Sequence, residues 1–105
     1  MLTQILCAAN HFDDGVYHVH QPTNIKTGYV ICGQRHHNCN YTFSLIQKYV
    51  NRDDTVKLMN NCTEGFLTNT NIFVNRKEAM EIAILANQTT NIQSPHIGLH
   101  SEDLY

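Results

Sequence analysis

One change of period constrains this chain more than anything else in it. Tyr29, Val30, Ile31 and Cys32 run as an apolar block into Gly33, and from His37 onward the apolar residues recur at helical spacing. Such a passage is a strand, a tight turn and a helix start. Gln34, Arg35, His36, His37, Asn38 and Cys39 are packed into the junction. Glycine allows the turn, and the first helical turn offers unpaired N–H groups and a positive dipole end. Arg35 adds a guanidinium fork suited to phosphate or carboxylate. The junction therefore predicts a site for a small anionic ligand.

The rest of the chain is read around that junction. Thr3–Phe12 reads as a first strand, Asp13-Asp14-Gly15 as a hairpin turn, and Val16–His20 as a returning second strand. On a period of two, Val16, His18 and His20 would share one face of it. Gln21-Pro22-Thr23-Asn24 breaks that strand, and Gly28–Cys32 forms the third. The helix from His37 to Val50 carries an apolar stripe of Cys39, Phe43, Ile46 and Val50. Val56–Met59 reads as a short strand. Gly65–Thr68 and Ile72–Val74 form a hairpin with a polar tip. Asn75 with Glu78 has capping-box spacing ahead of a short helix over Ala79–Asn87. The segment from Thr89 to Tyr105 is partly irregular, and its apolar residues Leu99, Leu104 and Tyr105 predict that it docks. The order predicts a single α+β domain over 1–105, a mostly antiparallel sheet with two helices packed on it.

Composition excludes several partners. A chain of 105 residues with 15% charged residues and a net charge of -2 lacks the basic face that would grip duplex nucleic acid. No apolar run approaches about 18 residues, so no membrane helix is expected. Residues 1–9 lack a basic n-region and read as a strand rather than a signal peptide, which predicts a cytoplasmic protein. A domain this small buries a modest fraction of its surface, so a homo-oligomer is expected.

Four chemistries compete at the candidate residues. Cys32, His36, His37 and Cys39 are donors that zinc would accept, but their spacing matches no zinc module, so no metal is assigned. Cys39 and His36 stand three apart and could form a thiolate–imidazole pair, yet Cys39 also opens the apolar stripe. His20, His36 and His37 could move protons near neutral pH. Anion binding is the best supported. Arg35 and Arg76 both sit at helix starts, where a cation opposes the dipole, and two such placements point to ligand contact. Phe66 could stack on a base. The ligand-binding set is thus Arg35, His36, His37, Phe66, Arg76 and His20. No catalytic residue and no cofactor are assigned; were the chain an enzyme, His36 and His37 would carry the acid–base work.

Three scattered blocks add a resemblance. Arg35-His36-His37-Asn38, then Gly65-Phe66-Leu67-Thr68 with Phe73, Arg76, Glu78 and Ala79, then Ser101-Glu102-Asp103-Leu104-Tyr105, resemble a group of small phage and prophage proteins with R-H-x-D/N, G-F-L-T…F…R-x-E-A and terminal S-E-D-L-Y segments. The resemblance brings no catalytic residues. It implies a phage setting, where small proteins without a basic face counter host immunity, in some cases by sequestering nucleotide-derived signals in oligomeric sponges. Three functions stay open: a binder of a nucleotide-derived signal, a phosphodiesterase or hydrolase acting on it through His36 or His37, and an inhibitor that docks its acidic tail on a host enzyme.

Overall fold

The computed structural model describes residues 2–50, 53–89 and 98–104. Strands β1 (Ile5–Phe12), β2 (Tyr29–Gly33), β3 (Cys62–Thr68) and β4 (Phe73–Asn75) form one antiparallel sheet in the order β2-β1-β3-β4. Helices α1 (His36–Val50), α2 (Thr55–Asn60) and α3 (Arg76–Leu85), with a 3₁₀ turn over Ser101–Asp103, complete an α+β domain.

Register decides the faces. Ala8 lies opposite Gly33 and Phe66, Asn10 opposite Ile31 and Glu64, and Phe12 opposite Tyr29 and Cys62, so these residues share the face that the helices cover. Phe43 of α1 stacks on Phe12 with ring centroids 4.1 Å apart. Cys39, Phe43, Leu58, Phe66, Val74, Ala79, Met80 and Leu99 close the core over this face.

The two long helices start back to back above the middle of the sheet. At its start α1 lies over Ala8, whose carbonyl meets Cys39 Sγ at 3.7 Å, and it then travels toward Phe12. From the end of β4, α3 departs toward the other end of β1. There the Gln88 carboxamide accepts from the Ile5 N–H and donates to its carbonyl, both at 2.7 Å. The Asn75–Glu78 capping box fixes where α3 begins: Asn75 Oδ1 accepts from Glu78 N at 2.8 Å, and Glu78 Oε1 accepts from Asn75 N at 3.2 Å.

Residues 13–28 depart most from the sequence reading. The turn at Asp13-Asp14-Gly15 forms, with Gly15 N and Val16 N donating to Asp13 Oδ1 and Asp14 Oδ1. The expected strand over Val16–His20 does not. The chain instead crosses the second face of the sheet as a long loop, which reaches both of its edges. Gln21 Oε1 accepts from Val30 N on β2, and Asn24 binds both backbone groups of Phe73 on β4, at 2.9 and 2.7 Å. On that face His11 lies 5.9 Å from Phe73, ring to ring, and its Nε2 donates to Thr27 O. A strand here would have no partner on β1, since both edges of β1 are already taken by β2 and β3.

Two smaller corrections concern the helices. Thr55–Asn60 is helical, where Val56–Met59 had read as a strand, because four residues are too few for periodicity to separate the two. The buried stripe of α1 runs Cys39, Phe43, Gln47, leaving Ile46 38% and Val50 53% exposed. Gln47 is tolerated there because its Nε2 donates to Asp54 Oδ1 and Thr55 Oγ1, both at 3.1 Å, tying α1 to α2. Of the docked tail read from the sequence, Gly98–Leu104 is described; residues 90–97 and Tyr105 lie outside the described residues.

Candidate functional site

The first residue of α1, His36, touches the first residue of α3, Arg76. Arg76 Nη2 lies 3.4 Å from His36 Nδ1. His36 Nε2 lies 2.8 Å from the carbonyl oxygen of Gly65, so that nitrogen carries the proton and Nδ1 presents a lone pair to the guanidinium. The edge of the His36 ring rests on Phe66 at 5.1 Å. Burial, first, and the Arg76 charge hold the imidazole below its ordinary pKa, against a smaller upward pull from the Gly65 carbonyl. His36 is neutral in the fold.

A stability consequence follows. The unfolded chain takes up a proton on this histidine as pH falls through about 6.5, while the folded chain resists it, so its contribution is present above that pH and lost below it. The carboxylates of Asp13 and Asp14 act lower: hydrogen bonds hold both below the ordinary carboxylate range, so they lose their contribution only in more acid solution. Urea midpoints at pH 7.5 and 5.5 test the assignment. The parent should lose more stability over that interval than His36→Gln; equal losses would move the acid sensitivity to another histidine.

Arg76 also holds the C-terminal segment. Its carbonyl accepts from Leu99 N, and its Nη1 donates to Leu99 O, both at 2.8 Å. Gly98 makes this possible, since with φ at 83° a Cβ there would stand 2.7 Å from Arg76 Cβ. Arg76 Nη2 lies 3.4 Å from Glu64 Oε1. Across the junction, Arg35 Nη1 lies 3.7 Å from Glu102 Oε1. Asn38 Oδ1 accepts from Arg35 N at 3.0 Å and fixes the entry to α1. Beside these groups a groove of about 250 Å³ opens between α1 and β3, lined by Phe12, Asn40, Met59, Cys62 and Glu64.

The structure thus gathers Arg35, His36 and Arg76, and places His37 exposed on the first turn of α1. It does not gather the whole set read from the sequence. Phe66 is fully buried, so its ring packs the core and orients His36 instead of presenting a face to a base. His20 stands exposed on the crossing loop, with φ at 63°. Cys39 is buried, its pKa pushed up to about 11 by that burial, which removes the thiolate a Cys39–His36 nucleophile would need. Among the described residues, no three of His, Cys, Asp and Glu come together in a group that could hold a metal.

Sequence reasoning missed the acidic partners Glu64 and Glu102, and it missed Asn10. Asn10 lies fully buried on the helix-covered face of β1; its Nδ2 donates to Asn40 Oδ1 at 2.9 Å, while its own Oδ1 has no hydrogen-bond partner. An asparagine between the apolar run Ile5–Ala9 and Phe12 was the available signal.

An antiparallel sheet with two helix starts abutting over it, bracketed by two arginines and two glutamates, defines a small α+β domain. The chain belongs to the phage T4 y16D protein family, whose model matches residues 4–105. No curated protein and no solved structure matches it. Among the described residues no helix is long and apolar enough to cross a membrane.

Proposed function

We propose that the chain is a small phage binding protein that takes a phosphorylated, nucleotide-derived ligand at the α1–α3 junction and sequesters such a signal of host immunity in the host cytoplasm. The observation that carries this reading is the contact between the first residues of two helices. Two positive dipole ends and two guanidinium groups then converge on one place, an arrangement that is unfavourable until negative charge joins it. Glu64 and Glu102 supply some of that charge at 3.4 and 3.7 Å. Charge-assisted hydrogen bonds close to about 2.7–2.9 Å, and open ion pairs contribute about 0–1 kcal/mol. A phosphate can therefore displace these carboxylates at small cost. Arg35, His36, His37 and Arg76 are the proposed ligand contacts, and the neighbouring groove has room for the remainder of the molecule. A homo-oligomer would use the outer side of α1, where Tyr41, Leu45, Ile46, Tyr49 and Val50 are exposed.

The test is a thermal-shift panel of cyclic di- and trinucleotides and cyclic ADP-ribose isomers, followed by denaturation and identification of what is released. A stabilised protein that returns its ligand intact supports sequestration. Arg35→Ala should weaken binding about 10–100-fold, the loss expected for one charged hydrogen bond. Undiminished binding by that variant would sink the assignment. A processed ligand would turn the reading to a hydrolase working through His36 or His37. A silent panel would favour an inhibitor of a host protein, although Leu99 and Ser101 are buried against the chain's own domain and leave less of the acidic tail to dock elsewhere.

A further inference from the structure

Away from the junction, a different pair of side chains meets on the loop-covered face of the sheet. Cys32 lies opposite Ala9 in the β1–β2 ladder, and Cys7 precedes Ala9 by two positions, so the strand period puts both cysteines on one face as diagonal neighbours. A bulge between Ile5 and Cys7 sharpens the local twist. The two thiols stand close enough for the Cys32 side chain, together with the Gly33 backbone, to act on the Cys7 thiol. Cys32 is exposed and Cys7 half-buried, whereas Cys39 is buried and Cys62 half-buried on the opposite, helix-covered face.

We infer that Cys7 and Cys32 form a peroxide-reactive dithiol, Cys7 being the attacking and Cys32 the resolving thiol. The Cys7 thiolate attacks one oxygen of a hydroperoxide. The O–O bond breaks, the second oxygen leaves as hydroxide or alkoxide and takes a proton from solvent, and Cys7 becomes a sulfenic acid. Cys32 then attacks the Cys7 sulfur, giving up its proton. The S–S bond forms, the S–O bond breaks, and hydroxide departs with that proton as water. Two thiols are oxidised by two electrons, and one peroxide is reduced.

The surroundings favour this division of labour. The Cys32 side chain beside it, first, and the Gly33 backbone lower the Cys7 thiol to about 7 against the opposing effect of burial, and the same contact pushes Cys32 up. Cys39 and Cys62 are held near 11 by burial, so they stay protonated. Oxidation at Cys32 would pin the end of β2 to β1 three residues before Arg35, yet the chemistry is independent of any ligand at the junction.

One equivalent of hydrogen peroxide at pH 7.5 should reduce the titratable thiols of the unfolded protein from four to two, with a mass loss of about 2 Da. A non-reducing peptide map should join Cys7 to Cys32 within one chain. Iodoacetamide labelling of Cys7 should show an inflection near pH 7, and Cys32→Ser should leave a sulfenic acid on Cys7 that dimedone traps. Links between two chains, first oxidation at Cys32, sulfinic acid without a link, or four surviving thiols would each overturn the proposal.

Discussion

Phe43→Ala should lower stability by about 3–5 kcal/mol, the range for removing a buried phenylalanine. The cost sits at the upper end of core substitutions because Phe43 is the contact that seats α1. Its ring lies parallel to Phe12, 3° between planes and 4.1 Å between centroids, and Phe12 in turn stacks on Tyr29 at 5.9 Å. Helix, central strand and edge strand are joined through these three rings. The only other buried side chains of α1 are His36, Cys39 and the polar Gln47, none of which can refill the space. Each kcal/mol moves the melting temperature of a domain this size by about 4–8 °C, so a drop above about 10 °C is expected. A loss under about 1 kcal/mol in urea would mean that α1 is not held through this stack.

The second large effect is Gly65→Ala. A Cβ at this position would overlap the carbonyl oxygen of Val74 and stand 2.8 Å from Phe73 Cζ. Neither can retreat freely, because Val74 faces Phe66 in the β3–β4 ladder and both backbone groups of Phe73 are bound by Asn24. Overpacking against backbone costs about 3 kcal/mol. The same change shifts the carbonyl that orients His36. Hydrogen exchange should report lost protection in β3 and β4 first, with β1–β2 less affected. Alanine accepted here without cost would show that the two strands lie further apart than described.

What was legible in the sequence was local. The β2–Gly33–α1 passage, the β3–β4 hairpin and the capping box of α3 follow from periodicity, turn residues and an N-cap within a few positions of one another. Both arginines stand out in the sequence because they sit at those boundaries. The misses were relational. Nothing between Asp13 and Gly28 announces that the chain must travel across a sheet, since the loop is held by amide side chains reaching residues up to 49 positions away. Glu64 and Glu102 look like ordinary surface acids until folding brings them to Arg76 and Arg35. Phe66 carried an aromatic signal equally suited to ligand and core, and its place opposite Ala8 on the central strand settled it as core. The two reactive thiols were hidden for the same reason. Cys7 and Cys32 are 25 positions apart, and only strand register makes them neighbours.

The amides also explain how so short a sheet keeps to itself. A carboxamide carries a donor and an acceptor with the spacing of a peptide group, so Asn24 on Phe73 and Gln88 on Ile5 each act as a one-residue strand. A fifth strand needs a row of open N–H and C=O groups to pair with. On the outer side of β4 that row is terminated after a single residue, by a side chain that cannot propagate the ladder. Asn24 thus acts as a chain terminator for that edge of the sheet. Copies of this protein find no template for strand addition along that edge.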